Sequence, residues 1–395
     1  MQAQRDVVSI GKLHYRDTQD LNGFSQEILP LHVLDGVGDL LGLIRTPPAP
    51  RGNMEALARD AGPGASSYTD YDREIAAAAC TWLRERQGRG AGKPWTLFVS
   101  FVRPHFPLVA PPEFFAMYPP GQMPLPRLYA DAQRPTHPAV KALRDCMNYD
   151  DYFDEAKVRT AIASYYALVS FLDENIGRVL GALDETGLVD NTRVIYTSDH
   201  GDNLGNHGLW GKSVMYEEST AIPMILAGPD VPRGATTDGG ASLIDCYRTL
   251  LEGAGVVLPP DDEVLPSQSL WEIARGGDPD RALLSEYHAA GSVTGSYMLR
   301  RGRWKFVYFV GYPSQLFDLQ DDPHEAADLA GRPEMQGVIR ECEAALRAML
   351  DPERVSARAF ADQAAVIAAN GGVATIRQRG DFGYTPAPGE QAGFA

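Results

Sequence analysis

The stretch that most constrains this chain is Val194-Ile-Tyr-Thr-Ser-Asp-His-Gly-Asp202, continued by Asn203-Leu-Gly-Asn-His-Gly-Leu-Trp-Gly-Lys212 and closed by Tyr216-Glu217. The short apolar, β-branched run from Val194 to Tyr196 reads as a buried strand. It breaks into a loop carrying Asp199, His200, Asp202, His207 and Lys212. In open α/β sheets ligands bind just beyond the carboxyl ends of strands, where this loop sits. Asp199 and His200 offer an oxygen and an imidazole nitrogen to a divalent cation, and Lys212 offers a mobile positive charge to an anion. The plainer alternative is a polar turn, since Asp, Asn, Gly and His favour turns in any case.

Two other segments have the same shape. Asp6 to Ile10 predicts a strand, followed by the loop Gly11-Lys-Leu-His-Tyr-Arg16. Alternation puts Lys12 and His14 on one side if the chain stays extended, which suits two groups reaching one ligand. A solvated basic turn is the alternative. No segment precedes this strand, an odd position for one that feeds a polar loop. Trp95 to Val102 predicts a strand apolar enough to be central in a sheet. It ends in Arg103-Pro-His-Phe-Pro107, where the two prolines fix the backbone around His105. A lone histidine in such a loop is more often structural than catalytic.

Helical spacing of Ile75, Ala78, Ala79, Trp82 and Leu83 predicts a helix over 70–87, ended by Gly88 to Lys93. Leu108 to Asn148 is Pro-rich and irregular. The acidic run Tyr149 to Glu155 opens a long helix whose buried face runs from Val158 to Leu183; carboxylates at its start complement the helix dipole and are not read as metal ligands. Ala221 to Ala227 reads as a strand, and Ser242 to Leu251 as a helix capped by Ser242. This alternation through residues 1–275 predicts an α/β fold with a largely parallel, doubly wound sheet flanked by helices. Beyond it, Ala282–Tyr287, Ser296–Arg300, Trp304–Phe309 and Gln315–Leu319 read as short strands, with a hairpin at Gly302 and a helix from Met335 to Leu350. They predict a smaller antiparallel α+β subdomain over 276–350. Residues 351–395 read as a helix and a Gly/Pro-containing tail that needs a partner to be ordered, which points to a homo-oligomer contact.

At 395 residues the chain can bury a sizeable core in two domains. A net charge of −16 argues against nucleic-acid and anionic-membrane partners. No apolar run reaches membrane-spanning length, and the polar start Met1-Gln-Ala-Gln-Arg-Asp6 is not a signal peptide. Cys80, Cys146, Cys246 and Cys342 are far apart, with no C-x-x-C pair, so a reduced, cytoplasmic protein is expected. Gly211-Lys212-Ser213 mimics the end of a phosphate-binding P-loop, but the required first glycine is replaced by Asn206. Neither G-x-S-x-G nor H-E-x-x-H occurs. His288 faces either the site, from the second domain, or solvent.

Five segments in order carry a resemblance. They are Gly11-Lys-Leu-His14, Pro104-His-Phe-Pro107, Ser198-Asp-His-Gly-Asp202, Gly211-Lys212 with Tyr216-Glu217, and Arg300-Arg-Gly-Arg-Trp-Lys305 followed by Gln315-Leu-Phe-Asp-Leu319 and Asp322-Pro323. Together they resemble the sulfatase family of the alkaline-phosphatase-like superfamily, near its phosphonate monoester hydrolase and choline-sulfatase-like branch. The resemblance implies hydrolysis of a small anionic sulfate monoester, with phosphate or phosphonate monoesters as the alternative substrates. It implies a divalent metal, usually calcium and in some relatives magnesium or manganese, with Asp199 and His200 matching the second pair of ligands. Lys12 and His14 match the residues that hold the ester oxygens, His105 a histidine near the leaving group, and Lys212 a lysine contacting ester and metal. Charge builds on the equatorial and leaving-group oxygens as the ester is attacked, so cations placed there lower the barrier.

One departure bears on activity. The family carries, upstream of the Gly-Lys-x-His segment, a strand ending in paired acidic metal ligands and then C-x-P-x-R, whose Cys (or Ser) becomes the formylglycine nucleophile. Neither occurs here: Cys80 opens Cys-Thr-Trp-Leu-Arg inside a predicted helix. The expectation is a chain that begins inside the domain, lacks a central strand, and is poorly active or a remnant with a binding role.

Overall fold

The computed structural model describes residues 5–52, 54–87 and 94–394. The predicted helix end at Gly88–Lys93 and the first four residues of the polar start lie outside them. Eleven strands are named in chain order: β1 (Asp6–Lys12), β2 (Gln26–Leu31), β3 (Gly62–Pro63), β4 (Trp95–Ser100), β5 (Val109–Ala110), β6 (Val194–Thr197), β7 (Met224–Ala227), β8 (Leu283–Tyr287), β9 (Ser296–Arg301), β10 (Trp304–Phe309) and β11 (Gln315–Asp318).

β1 is the middle strand of a parallel sheet ordered β2-β1-β4, with Asp6 opposite Trp95 and Gly11 opposite Ser100. Its Val8 and Ile10 are buried against Tyr68, Tyr71, Ile75 and Ala79 of the helix Ser67–Gln87. Gly11 is required where β1 ends. Its φ is +105°, and a Cβ there would run into the Ser100 carbonyl and the Ile75 side chain. The helix starts three residues earlier than its apolar period shows, because Tyr68 and Tyr71 belong to its buried face.

The helix Glu155–Glu185 packs across Ser67–Gln87 and joins it through Cys80, Leu83, Ala182 and Leu183. It begins later than the acidic run: Asp154 caps it by accepting from the Lys157 N–H at 2.9 Å. The segment read as irregular contains a helix, Pro138–Met147, whose Ala139, Val140 and Leu143 are buried. The helix expected from Ser242 spans Asp245–Gly253, because the buried Asp245 carboxylate accepts from the Ser242 N–H at 2.7 Å instead of Ser242 acting as the cap.

The sheet differs from the expectation in one respect. β6 pairs with β7 in antiparallel register, Val194 opposite Ala227. Among the described residues this pair is not hydrogen-bonded to the parallel β2-β1-β4 sheet. The α/β class holds, and the chain adds the four-stranded antiparallel sheet β11-β10-β9-β8. Its two-residue turn, Gly302-Arg303, has φ +54° at Gly302, as the hairpin reading required.

Strand alternation gives that second sheet two apolar faces. Tyr297, Leu299, Phe306 and Leu316 meet Ile339, Cys342 and Leu346 of the helix Gln336–Met349. Met298, Val307 and Phe317 meet Leu209, Val214, Met215 and Tyr216. The small domain therefore holds the segment that carries Lys212.

The tail is ordered by its own chain. Arg51 pairs with Asp381 at 3.0 Å, the Tyr68 hydroxyl donates to the Thr385 carbonyl, and Ala387 is buried beside β1.

Candidate active site

Three polypeptide segments, each following a strand, supply the site. The first follows β1, where Lys12 is the last strand residue and His14 takes a left-handed turn at φ +55°. The chain is therefore not extended from Lys12 to His14, as alternation assumed, yet the two remain neighbours. Burial, then the charges of Lys12 and Lys212, push His14 down to about 4, with Asp199 acting in the opposite sense.

The second segment follows β4. The Arg103-Pro-His-Phe-Pro107 loop turns on a bond from the His105 N–H to the Val102 carbonyl, 3.1 Å. Its ring Nδ1 lies 2.8 Å from the Phe106 carbonyl and its Nε2 lies 2.9 Å from Lys212 Nζ. Burial and the two lysines hold His105 well below the usual imidazole range, so it is neutral.

The third segment follows β6. His200 Nδ1 lies 2.8 Å from the Gly201 carbonyl, which assigns the proton to Nδ1 and leaves Nε2 bare. That Nε2 lies 3.5 Å from Asp199 Oδ2. A separation near 3.5 Å is about what two ligands of one cation require at metal–ligand distances of roughly 2.1 Å. Desolvation opposes ionisation of Asp199, but His200, Lys12 and Lys212 outweigh it and hold its carboxyl below the ordinary range. Among the described residues no third His, Cys, Asp or Glu side chain joins this pair.

Lys212 completes the set. Burial and the charge of Lys12 lower it to about 8, against the opposing pull of Asp202 and Asp199. Among the described residues neither Lys12 nor Lys212 has a carboxylate within ion-pair distance, whereas Lys305, Arg281 and Arg51 all do. The rings of His105 and His200 are 6.2 Å apart. The structure thus brings His105, Lys212, Asp199 and His200 together, with Lys12 and His14 coupled to them electrostatically. Two lysines without a carboxylate in ion-pair contact and three uncharged histidines thus lie together in a protein of net charge −16.

Other candidates from the same motifs lie elsewhere. Asp202 is a loop staple: its Oδ1 accepts from the Leu204 and Gly211 N–H groups, each at 2.9 Å. His207 is buried against Tyr216, 3.9 Å between rings, beside Glu218 and Glu325. His288 packs on Tyr297 and pairs with Glu286. Cys80 sits in the core between two helices, its thiol 3.4 Å from the Arg178 carbonyl, so it is not placed as a nucleophile. Two residues escaped the sequence reading, Asp72 and Arg103, both buried behind the His105 loop. Asp72 had a visible signal: it lies three positions before Ile75 and seven before Ala79 on the apolar face of its helix.

The family profile named Sulfatase matches residues 15–256, well over half of the chain. This chain belongs to the sulfatase family. A second profile, the C-terminal region of N-sulphoglucosamine sulphohydrolase, matches residues 205–351 of this sulfatase-family chain. A choline-sulfatase of Rhizobium meliloti (strain 1021) is 35% identical over 68% of this chain and 53% of its own length. A multifunctional alkaline phosphatase superfamily protein of Trinickia caryophylli is 32% identical over 67% of this chain and 56% of its own. The chain thus spans about half the length of the curated relatives it matches. The crystal structure of the phosphonate monoester hydrolase of Agrobacterium radiobacter superposes with a TM-score of 0.65 at 26% identity, covering 88% of this chain and 79% of that one. Sulfatase-family enzymes generally work with a divalent metal. No helix among the described residues is long and apolar enough to cross a membrane.

Proposed function

We propose that this chain carries the substrate-binding part of a sulfatase-type hydrolase acting on small sulfate monoesters. The observation that supports it best is the pair Lys12 and Lys212, two cations without carboxylate partners beside three neutral histidines. Ammonium groups that no carboxylate holds in ion-pair contact are free to meet an incoming anion. Lys12 and His14 hold non-bridging ester oxygens. Lys212, tied to His105, faces the leaving-group side, where its proton is available to the oxygen that departs.

Asp199 Oδ2 and His200 Nε2 would hold a divalent cation, with calcium the reading the resemblance favours; when bound, it would supply positive charge to the ester oxygens. These two donors fit a cation as a pair, and a hard cation takes further oxygens from elsewhere. No cysteine fits the formylglycine role. The alternative, a phosphate or phosphonate monoesterase, is favoured by the superposition on the phosphonate monoester hydrolase. We also infer a cytoplasmic protein without nucleic-acid or membrane partners, from four unpaired cysteines and the net charge of −16.

The test compares 4-nitrophenyl sulfate, 4-nitrophenyl phosphate and phenyl 4-nitrophenylphosphonate as substrates for the wild type and Lys212→Met. Hydrolysis of the sulfate above the other two, lost in Lys212→Met, supports the reading. Faster turnover of a phosphorus ester replaces it with the alternative. Turnover of none, with sulfate still bound, leaves an anion-binding role.

A further inference from the structure

We infer that Asp72 and Arg103 are positioning residues that clamp the His105 loop from behind, a role that rests on the site reading above. β4 ends its ladder with Ser100 opposite Gly11. Just beyond it, Val102 and Arg103 are buried and their amides have no strand to bond. The Asp72 carboxylate takes both: Oδ1 accepts from the Val102 N–H at 2.8 Å and Oδ2 from the Arg103 N–H at 3.0 Å. At the far side of the turn, one guanidinium nitrogen of Arg103 donates to the His105 carbonyl at 2.8 Å and to the Pro107 carbonyl at 2.6 Å. Its other terminal nitrogen reaches Ser66 Oγ at 2.5 Å. Entry and exit of the loop are therefore held by two buried, oppositely charged side chains, 0% and 2% exposed.

The arrangement costs free energy as packing alone. An ionised carboxylate and a guanidinium are both taken out of water, and an apolar pair would close the same space more cheaply. Burial pushes Asp72 up to about 6 and Arg103 down to about 10, so each is charged at neutral pH against a real penalty. What the pair provides is directional bonds to four backbone groups. These fix where His105 Nε2 meets Lys212.

The clamp is tested with Asp72→Asn and Arg103→Lys in the full chain, with Asp70→Asn, an exposed position on the same helix, as control. Asp72→Asn keeps the shape but removes one of the two acceptors. Amide hydrogen exchange at Val102 and Arg103 is expected to rise at least tenfold in Asp72→Asn, while amides of the helix Ser67–Gln87 keep their protection. The His105 Cε1–H cross-peak is expected to move in both variants, and sulfate affinity to fall at least fivefold. Unchanged exchange at Val102 and Arg103 with an unmoved His105 peak overturns the clamp. So does loss of protection spread evenly along the helix, which is the mark of a purely structural role. If Asp72→Asn does not fold, Arg103→Lys carries the same test through the His105 peak alone. Exchange and cross-peak do not depend on turnover: a wild type that binds no sulfate defeats the functional reading and leaves the clamp to be judged on these two measurements.

Discussion

Lys212 Nζ lies 2.9 Å from Nε2 of His105, whose Nδ1 is 2.8 Å from the Phe106 carbonyl. With the Nδ1 proton given to Phe106, Nε2 can only accept, so the ammonium of Lys212 is the donor of the pair. One proton is thus stationed between two groups, and the group that loses it near neutrality is the lysine.

This fixes a pH dependence. Lys212, lowered to about 8, is charged below that value and neutral above it. Sulfate affinity is expected to be level between pH 6 and 7 and to fall about tenfold towards pH 9, the loss a one-unit excess over the midpoint produces. Lys212→Met should bind weakly at every pH, with that slope gone. Titration calorimetry across the range checks it; an undiminished affinity at pH 9 contradicts it.

Gly201 ties the Asp199-His200 pair to the short helix Glu217–Thr220. Its N–H bonds the Ser219 carbonyl at 2.9 Å, and a Cβ on it would strike the Glu218 carbonyl oxygen. Gly201→Ala should cost roughly 1–3 kcal/mol, the usual range for forced overpacking. It should also shift the His200 ring resonances. Gly181→Ala, in open space on a helix, serves as control in the same urea unfolding series.

The strand and loop bearing Asp199, His200 and Lys212 were legible in the sequence because a β-branched run ending in turn-forming donors has few other uses. Lys12 and His14 were legible as a pair, but not the left-handed backbone at His14, which no local period encodes. The antiparallel sheet showed clearly, since two-residue alternation places Met298 and Tyr297 on opposite faces. Two features depend on contacts distant in sequence: the antiparallel setting of β7 beside β6, and the docking of the tail on Tyr68 and Arg51. Asp72 was visible as a carboxylate on an apolar stripe, but its two amide partners lie 30 and 31 residues away.

Lys305 links the second domain to the site. Its ammonium, wholly buried, bonds Glu217 and Glu325 at 2.9 Å each, and the Glu217 N–H donates to Glu325 at 2.6 Å. Lys305→Met leaves two carboxylates without their buried cation and should destabilise the chain by about 3–5 kcal/mol. Lys305→Met combined with Glu325→Gln should regain part of that loss. Equal stability of the wild type and Lys305→Met in urea would refute the account of this contact.

The tail should act in cis. Removing residues 381–395 uncovers Tyr68 and leaves Arg51 without Asp381. The expected result is a lower unfolding midpoint with the same mass by light scattering. A change of assembly state with unaltered stability would assign the tail to another subunit instead.

The most direct test of the central claim is calorimetric titration of inorganic sulfate at pH 7 into the wild type, Lys12→Met and Lys212→Met. One saturable site in the wild type, weakened at least tenfold by each substitution, is the result expected if segments after β1, β4 and β6 build one anion pocket. Equal binding by all three proteins, or none by the wild type, would contradict it.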